Sequence, residues 1–176
     1  MGTIVFLSFW GIMQKKEKIR LIIYIIYCAL MLLGLFVRPA TTNDSLTYWE
    51  DVAAHLNPIP FETIIYFHRI LGYNLPFGVY AQVLGNLIGN VVLFVPFGFF
   101  LVGIKEGTRR PFWKVMLYSS IIIIAIELLQ MFTLRGYCDI DDLILNEIGV
   151  AIGYLIRKFY IRKTDKTIVV TELQKK

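Results

Sequence analysis

Three segments of this chain carry side chains that could do chemistry in an otherwise apolar setting. In the first, Gln82, Asn86 and Asn90 recur every four residues, so a helix stacks them in one stripe, and Gly85 and Gly89 beside it make a small-xxx-small pair that would let a neighbouring helix approach closely. In the second, Glu127 and Gln130 are three apart and share a face. In the third, Asp142, Asn146, Gly149 and Gly153 fall on one helical face, behind Asp139 and Asp141. That face is polar at its start and glycine-lined further on. Glu127 is the most informative of these. A carboxylate within a membrane helix costs roughly 2.5–3.5 kcal/mol on insertion scales for the comparable Asp, so it should face a partner or a cavity. Paired carboxylates in unlike environments can divide acid and base roles, which makes Glu127, Asp139 and Asp142 the catalytic candidates if there is catalysis. A plainer reading stands beside each. Amides serve as packing glue between membrane helices, and Asp139 and Asp142 suit the positive end of a helix, with Asp139 as its cap. Glu147 points away from the stripe and receives no role.

The elements that must position these groups are membrane helices. Of 176 residues, 57% are hydrophobic and only 18% charged. Crossing a bilayer takes roughly 17–25 mostly apolar helical residues, and Leu21–Val37, Ala81–Ile104 and Val115–Leu134 meet that length. Leu143–Tyr160 is the fourth long span, weakened by Asn146 and Glu147 near its start. Thr3–Met13 would be only about 16 Å long as a helix, and is either a short fifth crossing or an interfacial segment. The net charge of +5 is not placed as a nucleic-acid surface would place it. Lys15 to Arg20, Lys105 to Lys114 and Arg157 to Lys166 are basic; the connections between them carry Asp44, Glu50, Asp51 and Glu62, or Asp139, Asp141 and Asp142. Basic and acidic ends therefore alternate, which puts the basic segments and the C-terminal tail in the cytoplasm and the acidic loops outside. On that topology the three polar segments share the outer half of the bilayer, and the inner halves hold nothing more polar than Ser119, Ser120 and tyrosines.

The outer connection from Arg38 to Tyr80 is too long to be structureless in a compact protein. Leu46, Trp49, Val52, Ala53 and Leu56 repeat at helical spacing, with Asp44 or Ser45 available as a cap. Asn57-Pro58 and Ile59-Pro60 break that helix, and Phe61–Leu71 forms a second amphipathic piece. The two either lie on the outer membrane surface, with Trp49, Tyr66 and Phe67 at headgroup level, or form an ordinary structured loop. Cys28 and Cys138 are too differently placed to bridge. His55 and His68 lack partners at ligand spacing, so no zinc site is expected, and no metal or cofactor of any kind. No nucleotide-binding loop, dinucleotide fingerprint or nucleophile elbow occurs. Thr167–Val170 is a weak strand signal in a short charged tail. The first residues lack the basic start and cleavage site of a cleaved signal peptide.

Asn86–Phe100 reads NLIGNVVLFVPFGFF, Ile126–Gln130 reads IELLQ, and Asp139–Tyr154 reads DIDDLILNEIGVAIGY. With NPIPFETI at Asn57–Ile64, these runs closely resemble the VanZ-like family of bacterial membrane proteins. The resemblance covers about Asn57 to Tyr154. It matches Asn86, Asn90, Pro96, Gly98, Glu127, Gln130, Asp139, Asp142, Asn146 and Gly149, and brings in Arg135; Glu147 departs from the small or polar residue of the pattern. The implied binding set is Asn86, Asn90, Glu127, Gln130, Arg135, Asp139, Asp142 and Asn146. The family's namesake confers resistance to teicoplanin-type glycopeptides, whose lipid tail sits in the outer leaflet. The expectation is therefore an all-α, polytopic bundle with four long spans, forming a single membrane domain over residues 1–162 with a cytoplasmic tail at 163–176. It would sit in the bacterial cytoplasmic membrane, alone or as a homo-oligomer. Its partners would be membrane lipids, an outer-leaflet headgroup or a lipophilic glycopeptide, and not nucleic acid. A non-enzymatic binding factor in envelope stress or glycopeptide susceptibility is the leading reading. An intramembrane enzyme acting on a lipid-linked envelope precursor is the alternative, and a small transporter the third.

Overall fold

The computed structural model describes residues 14–37, 39–74, 76–104 and 109–173, with side chains through Arg162. Residues 3–13, left open between a crossing and an interfacial segment, lie outside it. Six helices are described: α1 (Lys15–Phe36), α2 (Tyr48–Ala54), α3 (Glu62–Ile70), α4 (Phe77–Leu101), α5 (Phe112–Phe132) and α6 (Ile140–Leu173). Three of them, α1, α4 and α5, are long and apolar enough to cross a membrane. α6 does not join them on those terms. Between Asp142 and Arg157 only positions 143–156 remain, fourteen residues that would span about 21 Å of a hydrocarbon core about 30 Å thick. Glu147 interrupts even that stretch. The chain is thus mostly helical, with three candidate spans among the described residues; a fourth at α6 does not meet the same length and composition terms.

The bundle is organised around α4 and α6, which touch backbone to backbone. A Cβ added at Gly98 would come within 2.2 Å of the Val150 carbonyl oxygen, and one at Gly149 within 2.2 Å of the Val91 oxygen. One at Gly153 would come within 2.0 Å of the Val95 oxygen. Only glycine allows that approach. At Gly85 and Gly89 the structure differs from the sequence reading: no heavy atom of another described element lies within 4 Å of a Cβ built at either, so no described helix packs on this pair. Met31, Phe94, Phe97, Val115, Ile123, Ile126 and Val150 form the apolar core between α1, α4, α5 and α6. α4 runs unbroken through Pro96.

The long connection is ordered at the end of the bundle that carries the aspartates. Thr47, not Asp44 or Ser45, caps α2, and the Glu50 carboxylate accepts its amide N–H at 2.8 Å and its hydroxyl at 2.7 Å. Those bonds hold the exposed Glu50 carboxyl below the usual carboxylate range. α2 docks on the end of α5, with Val52 packed against Met131 and Leu134 and the Tyr48 hydroxyl donating to the Phe132 carbonyl at 2.8 Å. The strictly helical expectation needs one amendment. β1 (Leu56–Asn57) pairs in parallel with β2 (Cys138–Asp139), Leu56 opposite Cys138 and Asn57 opposite Asp139. Pro58 forces Asn57 into the extended region, which supplies a pairing edge. The C-terminal end also differs: α6 continues to Leu173, so Thr167–Val170 is helix rather than strand. Both cysteines are free.

Candidate functional site

The turn after α5 fixes one wall of the site. Leu134 adopts a left-handed conformation (φ 55°), the Arg135 N–H donates to the Gln130 carbonyl at 2.9 Å, and the Leu134 N–H donates to that of Met131 at 3.0 Å. These two bonds close the last turn of α5 in the manner usually reserved for glycine. The buried Leu134 side chain, packed on Val52 and Met131, holds that conformation. Arg135 then reaches back to donate to the Phe36 carbonyl at 2.7 Å, and Gln130 Nε2 donates to that of Leu35 at 3.3 Å. The end of α1 is thereby tied to the end of α5.

The second wall is the start of α6. Asp139 caps it, its Oδ1 accepting the Asp141 N–H at 2.8 Å, while its Oδ2 accepts from Thr63 Oγ1 at 3.0 Å and Asn57 Nδ2 at 3.3 Å. Asp141 is fully buried and does a different job. Its carboxylate accepts the Phe61 N–H and, at 2.8 Å, the Thr63 N–H, capping α3 from across the fold. Phe61, left-handed at φ 66°, brings no capping side chain of its own. Sequence reasoning gave Asp141, Asn57 and Thr63 no place in the site. The parallel pairing of β1 with β2 is what brings them there, and no local periodicity announces a two-residue ladder.

Between these walls lie the remaining groups. Asn90 Nδ2 donates to Asp142 Oδ1, linking α4 to α6. Asn146 Nδ2 donates to Glu127 Oε1 at 3.4 Å, linking α6 to α5. Glu127 is 5% and Asn146 3% exposed, yet Glu127 Oε2 and Asn146 Oδ1 have no hydrogen-bond partner among the described atoms. Both atoms belong to residues lining a pit of about 40 Å³, together with Asn86, Asn90, Gln130 and Asp142. The pit is roomy enough for one water-sized group. Above it a vestibule of about 320 Å³ is lined by Asn57, Thr63, Arg135 and Asp139 and shares Asn86, Gln130 and Asp142 with the pit. All eight residues of the expected binding set line one or both of these cavities.

Three further groups lie around these cavities. Glu147, which received no role, does face away from the pit, but it has partners: Ser119 Oγ donates to its carboxylate at 2.8 Å and Ser120 Oγ at 2.8 Å. The half of α5 expected to hold nothing more polar than those serines therefore receives a carboxylate from α6. Cys138, in β2 beside the vestibule, has its thiol pushed up by partial burial first, then by the Glu127 and Asp139 carboxylates. His55 is buried and stacked on Tyr137 with ring centroids 4.7 Å apart. No cluster of three or more His, Cys, Asp or Glu suited to a metal occurs among the described residues.

Compared with known proteins, residues 21–161 match the family described as VanZ/LLP1. No curated protein and no solved structure matches the chain.

Proposed function

The chain belongs to the VanZ/LLP1 family, and on that premise we propose that it binds a lipid headgroup at the outer face of the bacterial cytoplasmic membrane. The biological setting is envelope stress or susceptibility to teicoplanin-type glycopeptides. One observation carries this reading. Glu127 and Asn146 each keep a buried acceptor atom without a partner, in a pit that communicates with a vestibule at the aspartate end of the bundle. Leaving a buried acceptor unsatisfied costs about 1–3 kcal/mol, more for a charged group, and such a cost fits a place where a ligand supplies the missing donor. The topology that goes with the reading takes α6 as a fourth crossing, with its aspartates outside and its basic end cytoplasmic. The alternation of basic and acidic span ends supports it.

Glu127→Gln and Asp142→Asn test the proposal, because each removes charge and keeps size and most hydrogen bonding. Both variants should reach normal membrane levels and lose protection against teicoplanin, with a weaker effect on vancomycin, in a host lacking its own copy. Full protection by both variants would make the acidic cluster structural. A second reading, intramembrane catalysis on a lipid-linked precursor, has one feature in its favour. Glu127 and Asp142 line the same small pit in unlike surroundings, one buried and the other half-buried, as an acid and a base would. Accumulation of a lipid product in reactions with purified protein would favour it; capture without turnover favours binding.

A further inference from the structure

The pit and vestibule adjoin a third, much larger space, with which they share lining residues. A groove of about 900 Å³ runs between α1, α3 and α4, floored by Gly34, Gly85 and Gly89 and flanked by Leu35, Leu93 and Tyr66. It shares Gly34, Leu35, Asn86 and Asn90 with the pit, and Thr63 and Asn86 with the vestibule. Its volume is within the roughly 300–1,000 Å³ range of small-molecule sites. From Ala81 to Leu93 it follows about 18 Å of α4, deep into a span. The glycines keep it open: nothing described lies within 4 Å of a Cβ at Gly34, Gly85 or Gly89.

The chemistry of the three spaces differs. The pit offers acceptors only at its unpartnered atoms, carries two carboxylates and no cationic side chain, and admits a group the size of a water. An ammonium meets those terms, with three donors, a positive charge and that size. A sugar or a phosphate does not. Among the described residues the vestibule has Arg135 as the one cation of its lining, beside the Thr41 and Thr63 hydroxyls and opposite the Asp139 and Asp142 carboxylates, so an anion such as a phosphate would go to the Arg135 side. The groove is mostly apolar and lies along membrane-spanning helices, which suits a hydrocarbon chain. We propose that the site takes an aminated phospholipid, with the ammonium in the Glu127–Asn146 pit, the phosphate towards Arg135 and an acyl chain along the glycine-floored groove. This names the ligand class of the headgroup site proposed above and rests on that reading.

The test uses the full chain in detergent and measures lipid retention by native mass spectrometry. The probes are lysophosphatidylethanolamine, lysophosphatidylcholine and lysophosphatidylglycerol of equal chain length. The wild type should retain the ethanolamine lipid at least tenfold better than the other two, since choline lacks N–H donors and glycerol lacks the charge. Glu127→Gln should abolish that preference while leaving weak retention of all three. Gly85→Leu with Gly89→Leu should fill the groove and lower retention of all three about tenfold, with an unchanged elution profile because the added side chains enter open space. Equal retention of the three lipids by the wild type would overturn the amine assignment. Unchanged retention by the double leucine variant would overturn the groove as the chain's place. If Glu127→Gln loses drug protection but the wild type shows no amine preference, only this ligand class fails. If the amine preference is present and Glu127→Gln still protects fully, the headgroup site stands and its link to glycopeptide susceptibility fails.

Discussion

Asp141→Ala should undock α3 and distort the vestibule, although Asp141 lines none of the three cavities described above. Its carboxylate is fully buried and accepts two amides at the start of α3, those of Phe61 just before it and Thr63 within it. A hydrogen bond to a charged group contributes about 1.5–3 kcal/mol, so two give about 3–6 kcal/mol. The lower end applies here, because Phe61 is exposed and Thr63 only half-buried, so the freed amides can turn to water. About 3 kcal/mol corresponds to a fall of about 6–12 °C in melting temperature for a chain of this size. Asp141→Asn keeps one acceptor oxygen and should lose about half as much. Thermal unfolding in detergent reads the total, and amide hydrogen exchange at Phe61 and Thr63 reads the mechanism, since those two amides should lose protection first. Thr63 would then withdraw its hydroxyl from Asp139, so drug protection should fall with α3. An alanine variant that melts like the wild type, with both amides still protected, would refute the idea that Asp141 pins this helix.

The glycines should divide by position: Gly153→Ala should lower the yield of folded protein, since overpacking costs about 1–3 kcal/mol and the clash is with backbone, whereas Gly89→Ala should be silent. Size-exclusion profiles of the two variants expressed in parallel decide this. Cys138 should react with a membrane-impermeant thiol reagent in intact cells, while cysteines placed at Thr108 or Thr167 should not. Its alkylation rate should also rise with pH along a curve centred above that of an exposed thiol, because burial and the two carboxylates keep it protonated longer; Asp139→Asn should move the curve down. An unshifted curve would contradict the described placement of the thiol. Ser119→Ala with Ser120→Ala should strip Glu147 of both hydroxyl donors and cut folded protein sharply, and Glu147→Leu in that background should restore it, as apolar replacement of a buried polar cluster usually does.

The α4–α6 contact was partly legible in the sequence. Gly149 and Gly153 could be placed on one face, and that face does meet another helix. The same spacing rule misread Gly85 and Gly89, because small residues four apart permit either a close neighbour or an open groove, and only the third dimension separates the two. Asn90, Glu127, Asp142 and Asn146 could be found because strong polar groups in apolar helices demand partners. Asn57, Thr63 and Asp141 could not, since their roles depend on a parallel pairing between residues about eighty positions apart. The fourth span is the one that length and composition do not carry, for a related reason. Its hydrophobic run looks continuous, but Asp142, Glu147 and Arg157 divide it into pieces shorter than a bilayer core.

Four acids fall within the nine residues from Asp139 to Glu147, and the structure gives each its own set of donor groups. Asp139 meets Asn57 and Thr63, Asp141 the amides of α3, Asp142 the amide of Asn90, and Glu147 two serines of α5. Each of these carboxylates stabilises a contact of the fold, and acidity alone therefore does not mark a site. Glu127 differs in kind. Its described partners are the Asp139 backbone amide and a long 3.4 Å bond from Asn146, and Glu127 Oε2 and Asn146 Oδ1 stay buried without a hydrogen-bond partner among the described atoms. Buried polar groups are usually satisfied because the low dielectric makes an unpaired one expensive. A pair left short of donors, on two helices that α4 and the Arg135 turn hold in place, is the arrangement expected where the fold leaves hydrogen bonds for a ligand to complete. The unsatisfied pair, rather than the number of carboxylates around it, is what supports the proposed site.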